Sequence, residues 1–233
     1  NIASFLRQVW ADGDRLVREF RPDVVISSST YPMDFWVARR IARRTAARLV
    51  HEVHDLWPLS PIELSGMSRH HPFAVLCQWA EDAAYRDADL VVSILPKVQE
   101  HMATRGLDLA KLVIVPNGID PEEWQRPPQP LRADVQRVID DARAAGHLIV
   151  GFAGSMGEPN ALDTLLDAAA RLRKESLSFV LVGDGHLRAH LASRIGTEQL
   201  DRVSLLPPIP KMQIPSLLAQ WDIAYLGWQR TPI

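Results

Sequence analysis

Gly151-Phe-Ala-Gly154-Ser-Met156-Gly157-Glu-Pro-Asn160-Ala-Leu162-Asp-Thr-Leu165-Leu166 is the stretch around which the rest of the chain can be arranged. Ahead of it, His147-Leu-Ile-Val-Gly-Phe is a short apolar run of the kind that forms a buried parallel strand. Behind it, Leu162, Leu165, Leu166, Ala169 and Leu172 recur at helical spacing, with Asp163, Asp167, Arg171 and Arg173 between them. The order is strand, glycine loop, helix. Glycines let a backbone approach a ligand closely, and a helix N-terminus offers unpaired N–H groups and the positive end of a dipole. That combination suits a phosphate. Pro159 fits the first helical position with Glu158 as the cap; alternatively Asn160 caps, with Asp163 reaching back. The spacing Gly-x-x-Gly-x-x-Gly is neither the Rossmann fingerprint nor a Walker loop, whose lysine is missing. A tight turn whose glycines serve only chain reversal therefore stays open as the plainer reading.

The same alternation extends outward in both directions. Toward the N-terminus lie an amphipathic helix ending before Arg21-Pro22, strand Asp23–Ser27, a helix over 34–46 and strand Arg48–Val53. The prolines of His54-Asp-Leu-Trp-Pro-Leu-Ser-Pro61 predict a loop. A helix over about 72–86, strand Asp89–Ser93, a helix from Pro96 to near Gly106 and strand Lys111–Val115 complete this half. Arg126-Pro-Pro-Gln-Pro130 is proline-dense and predicts a linker or hinge over 126–131, separating residues 1–125 from 132–233. Toward the C-terminus, helices over about 131–145, 186–195 and 210–220 alternate with strands Ser178–Val182, Arg202–Leu205 and Asp222–Leu226. Strands alternating with helices throughout predict an α/β chain: two Rossmann-like, doubly wound domains with parallel sheets covered on both faces. Ligands in that architecture sit at the carboxyl ends of the strands, at the switch point.

Composition narrows the class. The 233 residues carry 47% apolar and 23% charged side chains and a net charge of −2, ordinary for a globular protein and without the basic excess that points to nucleic acid. The single cysteine, Cys77, excludes an internal disulfide, agrees with a reducing compartment and shares a helical face with Phe73, Ala80 and Ala84, a core position. No apolar run approaches the roughly 18 residues of a membrane helix, and no secretion signal is evident. The chain opens with Asn1 on a segment already helical in pattern, so it is expected to begin partway into a larger protein.

Several features fall just past strand ends: Ser27–Thr30, His54–Pro58, Gly154–Gly157, Gly183-Asp184-Gly185 and, at the domain junction, Asn117-Gly118. Each alone is ordinary for α/β turns; their common position is what raises interest. His51-Glu-Val-His-Asp55 is not a zincin motif, which needs both histidines on one helical face, whereas side chains three apart on a strand point to opposite faces. His51 is then a packing or surface residue, and His54, at the strand's end, is free to face a site. Trp57-Pro58 reads as a staple of the loop to the core. Arg39, Arg40, Arg43 and Arg44 cover about 140° of their helix, no more than an ordinary solvated face, although an anionic partner remains the alternative. No nucleophile elbow surrounds Ser27–Thr30.

Taken together, Val115-Pro-Asn-Gly-Ile-Asp120, Gly151–Gly157, Val180-Leu-Val-Gly-Asp-Gly185 and Trp221-Asp-Ile-Ala-Tyr-Leu226 resemble family-4 glycosyltransferases of the GT-B fold, and His54-Asp-Leu-Trp-Pro58 resembles their bacterial surface-polysaccharide and O-antigen branch. The resemblance implies a retaining enzyme that uses a nucleotide-sugar donor and needs no metal or other cofactor. It implies that Gly154, Ser155, Met156 and Gly157 hold the donor diphosphate, with Gly183, Asp184 and Gly185 nearby. It places Pro208 and Ile209 beside the base, Asn117 at the border of the interdomain cleft, and His54, with Asp55, near the transferred sugar. The expected partners are a nucleotide-sugar and a lipid-linked or glycan acceptor, not nucleic acid, in the cytoplasm with peripheral association at the inner membrane face. The sequence departs from the family in three respects. No basic residue follows the first glycine loop, which continues Glu158-Pro159; the Glu-x7-Glu segment is absent; and so are the opening strand and its glycine loop. Both domains are therefore expected to be incomplete. A non-hydrolysing sugar-nucleotide epimerase and a non-catalytic nucleotide-sugar-binding module stay open as alternatives.

Overall fold

The computed structural model describes residues 2–28, 31–125, 127 and 129–228, and the chain divides into two units between Gly118 and Ile119. The division falls ahead of the proline-dense stretch expected as a linker, of which Arg126 and Pro128 lie outside the described residues.

The first unit comprises α1 (Ile2–Phe20), β1 (Val24–Ser27), α2 (Asp34–Thr45), β2 (Arg48–Val53), α3 (Leu59–Ser65), α4 (Pro72–Asp87), β3 (Leu90–Ser93), α5 (Gln99–Thr104) and β4 (Leu112–Ile114). Its strands form one parallel sheet in sequence order, with Ser27 opposite His51 and Val53 opposite Ser93. Strand β2 is anchored by period-two burial: Leu49, His51 and Val53 face the core with Phe35, Tyr85 and Val91, while Glu52 stays partly exposed. Helix α3 corrects the loop expected over 54–61. Pro58 precedes the helix and Pro61 lies in its first turn, where N–H groups have no intrahelical acceptor, so neither proline blocks it. Cys77 is buried as expected, its Sγ 3.6 Å from Met33 Sδ. Trp57 packs against Tyr31 and Phe73, with ring centroids 4.9 and 5.9 Å away.

The second unit comprises α6 (Pro121–Gln125), α7 (Ala133–Ala144), β5 (Leu148–Ser155), α8 (Leu162–Arg171), β6 (Leu177–Asp184), α9 (Arg188–Thr197), β7 (Val203–Leu206), α10 (Ile214–Leu218) and β8 (Ile223–Ala224). Helix α6 was not foreseen, yet its signal is present: Asp120 accepts from the Glu122 N–H at 2.9 Å and Pro121 takes the first helical position. The sheet is parallel in the order β7-β6-β5-β8. Both faces are covered, which is why its strands are continuous apolar runs. Val150 and Phe152 pack with Leu165, Leu166 and Leu181 on one side, and Ile149 packs with Ile139, Val180 and Leu217 on the other. Burying each such side chain contributes about 1.5–3 kcal/mol. Because β6 and β8 flank β5 on opposite sides, the order reverses at β5, the topological switch point where such sheets hold ligands.

Candidate functional site

In the second unit, the ends of β5 and β6 are locked together. Strand β5 runs on through Gly154 and Ser155, which pair with Gly183 and Asp184, so these residues end a strand rather than form a free loop. The Met156 N–H donates to Asp184 O at 2.8 Å, and the Leu187 N–H donates to Met156 O at 3.0 Å. The glycines of the second loop make this possible. Gly183, at φ +151°, would place a Cβ 1.9 Å from Gly154 O, and Gly185, at φ +158°, would place one 2.5 Å from Met156 O. Met156 is fully committed to the fold, its side chain 0% exposed and its backbone N–H and C=O both bonded. Gly154, Ser155 and Asp184 remain exposed at this edge.

The helix does not start where the sequence suggested. Glu158–Asn160 form a 3-10 turn, Ala161 adopts a left-handed conformation at φ 47°, and α8 begins only at Leu162. Asn160 is not a cap; its side-chain N–H donates to Ser155 O at 2.7 Å. Asp163 does not reach back either. It accepts from Arg194 at 2.7 Å and faces His190 at 2.9 Å, and Arg194 also pairs with Asp167 and Glu198, tying α8 to α9. That network holds the Asp163 carboxyl below its ordinary range, the hydrogen bonds of Arg194 and His190 outweighing its burial. A histidine of the neighbouring loop lies against the glycine loop. His186, from the turn after β6, pairs with Glu158 and stands over Gly157, where a Cβ would meet its Cε1 at 3.3 Å. Beyond β7, Pro208 O accepts from Arg132 at 3.2 Å, and Ile209 packs against the core layer of α7 and α10. Loops after β5, β6 and β7 thus share one edge of the sheet.

In the first unit, the carboxyl ends of β1 and β2 carry the polar groups. His51 is 4% exposed, with Nδ1 2.9 Å from Ser27 Oγ and its ring edge-on to Phe35. Burial, with a smaller push from His54, lowers its pKa to about 4. His54 lies on the other side of the strand, as expected. Its carboxylate neighbour is not Asp55, however: His54 Nε2 sits 3.4 Å from Glu52 Oε2 and 3.2 Å from Ser28 Oγ. Residues two apart on a strand share a face, and adjacent ones do not, so period two alone could have named Glu52. Register could have named Ser28, because Ser27 lies opposite His51. Asp55 is exposed at the start of the next turn, with its pKa raised by partial burial against a smaller opposing pull from His54. Ser29 and Thr30 lie outside the described residues. Asn117 is exposed in the irregular segment after β4.

The arginine face of α2 is balanced by acids. Arg39 pairs with Asp87, Arg40 and Arg44 both pair with Asp14, and the Arg40 guanidinium lies 4.8 Å over the Trp10 ring. Most of its charge is spent on holding α1 and α4 to α2. Among the described residues no helix is long and apolar enough to cross a membrane.

Two units, each a parallel sheet with loops gathered at its carboxyl edge, make an α/β chain of the GT-B kind, as the solved structures it resembles bear out, and its two parts match two family models. Residues 3–118 match the Glycosyl transferase 4-like domain and residues 147–230 match Glycosyl transferases group 1, in that order along the chain. It is 24% identical over 210 residues to WcaI of Escherichia coli (strain K12), named as a colanic acid biosynthesis glycosyl transferase, covering 88% of this chain and 50% of that protein. Among solved structures it resembles Anabaena Alr3699/HepE in complex with UDP and glucose (TM-score 0.70, 21% identity, 94% of this chain and 56% of that one). It also resembles a sucrose-phosphate synthase from Thermosynechococcus elongatus (TM-score 0.69, 16% identity, 98% and 56%). The chain spans about half the length of these relatives.

Proposed function

We propose that the chain is part of a retaining, family-4 glycosyltransferase that moves a sugar from a nucleotide-sugar donor to a lipid-linked or glycan acceptor in surface-polysaccharide synthesis. The observation that carries the proposal is the succession of two glycosyl transferase matches on a fold whose second sheet reverses its strand order at the glycine-bearing strand β5. The UDP and glucose bound by HepE support a nucleotide-sugar as the donor class, and the colanic acid name of WcaI supports a polysaccharide role.

On this reading the backbone at Gly154, Ser155 and Gly157 approaches the diphosphate, His186 offers a ring nitrogen nearby, and Asp184 and Gly185 border it. Departure of a nucleoside diphosphate develops negative charge, which N–H groups fixed in place stabilise without reorganising. Pro208 and Ile209 flank the base, and His54 orients a sugar hydroxyl. No metal or cofactor is assigned to the reaction; the donor is a substrate. The proposed workplace is the cytoplasmic face of the plasma membrane, where lipid-linked acceptors are held.

Two measurements test the proposal. Calorimetry of this chain with nucleoside diphosphates should detect binding, and product analysis of the full-length protein with a nucleotide-sugar should find the sugar transferred with its anomeric configuration kept. An inverted product, a free epimerised sugar nucleotide, or no nucleotide binding would overturn it.

A further inference from the structure

At the carboxyl ends of β1 and β2, three side chains stand close enough for their protons to be counted. Ser28 Oγ donates to Glu52 Oε2, while His54 Nε2 lies 3.2 Å from that Ser28 oxygen and 3.4 Å from Glu52 Oε2. A serine hydroxyl carries one proton, and an ionised carboxylate carries none. Glu52 is held in its ionised form: the Ser28 hydrogen bond keeps its pKa below the usual carboxylate range, partial burial opposes this, and His54 adds to it. With the Ser28 proton committed to Glu52, both oxygens facing Nε2 present only lone pairs. A bare Nε2 would face two lone pairs across hydrogen-bond distance, whereas an Nε2–H finds two acceptors. Among the described residues, His51 faces the core on the opposite side of β2 and Asp55 forms no ion pair with His54.

We infer that Ser28 and Glu52 are positioning residues that fix His54 as its Nε2–H tautomer, leaving Nδ1 as the nitrogen that accepts a hydrogen bond from a ligand hydroxyl. A ring locked this way can take a proton-bearing hydroxyl of a sugar at one defined atom, and cannot rotate to offer the other nitrogen without breaking the Ser28 and Glu52 contacts. The identity of the hydroxyl as a donor-sugar group rests on the function proposed above; the tautomer rests on the contacts among Ser28, Glu52 and His54.

The test is nitrogen spectroscopy of this chain labelled at histidine, at pH about 8.5, where an ordinary imidazole is neutral. His54 should show the Nε2–H pattern alone. In the double variant Ser28→Ala/Glu52→Leu it should show averaging over both tautomers, with the His51 signals unmoved as the control for the fold, and Ser28→Thr should keep the unsubstituted pattern. An Nδ1–H or mixed pattern in the unsubstituted chain overturns the inference, and so does an unmoved His54 pattern in the double variant. Should that variant unfold, the unsubstituted spectrum still decides. A locked tautomer together with unchanged turnover of the full-length enzyme carrying His54→Ala would refute the sugar-positioning role and leave the positioning by Ser28 and Glu52 standing.

Discussion

The indole of Trp221 fills the space that a side chain on Gly151 would need: a Cβ there would lie 1.9 Å from Trp221 Cδ2. The first glycine of the quoted stretch is therefore a packing residue inside β5, not a ligand residue. Gly151→Ala should destabilise the chain by about 1–3 kcal/mol, the range for overpacking a filled core, read as a lower urea midpoint at unchanged slope. Adding Trp221→Leu should recover part of the loss, because the two positions are in contact and their effects do not add. Full additivity would show that the ring does not constrain this glycine.

The remaining glycines separate into two kinds. Gly183→Ala would press a Cβ onto the Gly154 carbonyl from a φ of +151°, and should cost about 1–3 kcal/mol of stability. Gly157 is buried with an extended backbone at φ −125°, and the atoms nearest to a Cβ there belong to the exposed His186 ring and Pro159. Gly157→Ala should cost less stability than Gly183→Ala, because the neighbour it displaces is a side-chain ring rather than backbone, while weakening nucleoside diphosphate binding. Thermal melts paired with calorimetry distinguish these outcomes. Normal nucleotide affinity in Gly157→Ala would remove that residue from the proposed site.

His51 gives the first unit an acid weakness. Its pKa is about 4 in the folded chain, lowered by burial and then by His54, against about 6.5 when unfolded. Between those values the unfolded chain binds the extra proton, so stability rises with pH, by at most about 1.4 kcal/mol per unit from this group. The contribution is intact above pH 6.5 and is lost as the pH falls toward 4. Equilibrium unfolding at stepped pH should show this slope, and His51→Gln should flatten it over that window. An unchanged slope in the variant would assign the acid sensitivity to the carboxylates instead.

The strand–helix order of the second unit was legible because its sheet is buried on two faces, which leaves runs such as Ser178–Val182 uninterrupted; the first sheet departs from the expected two-sided cover, with Val24, Ile26 and Val113 exposed on its second face. What sequence spacing could not separate was glycine used for strand approach from glycine used for ligand approach, since Gly151, Gly183 and Gly185 answer to Trp221, Gly154 and Met156 across the fold. The start of α8 was misplaced because Pro159 and Asn160 carry genuine start signals, which here serve a 3-10 turn and a bond to Ser155. Helix α3 was hidden by two prolines that sit where a helix tolerates them. At the histidine, attention to the adjacent Asp55 obscured Glu52, two residues back on the same face. His186 was beyond reach, because its place over Gly157 depends on how the turn after β6 closes on the turn after β5.

The role of His54 can be resolved to a single ring nitrogen. It follows directly on β2 with Nε2 occupied by Ser28 and Glu52, so a substrate hydroxyl would meet Nδ1. In the full-length enzyme His54→Ala should lower kcat by roughly 10²–10⁴-fold, the range for a positioned polar group acting at the reacting centre. The donor dissociation constant should change far less, because the proposed diphosphate contacts belong to residues of the second unit. Two near-isosteres sharpen the test. The side-chain oxygen of Asn reaches about as far as Nδ1, whereas that of Gln reaches about as far as Nε2, so His54→Asn should retain more turnover than His54→Gln. The reverse order would mean that Nε2 is the working nitrogen and that the contacts to Ser28 and Glu52 open during catalysis. A fall in donor affinity with unchanged turnover would make His54 a binding residue, and no effect from any of the three would return it to a hydrogen-bonded strand end without a part in transfer.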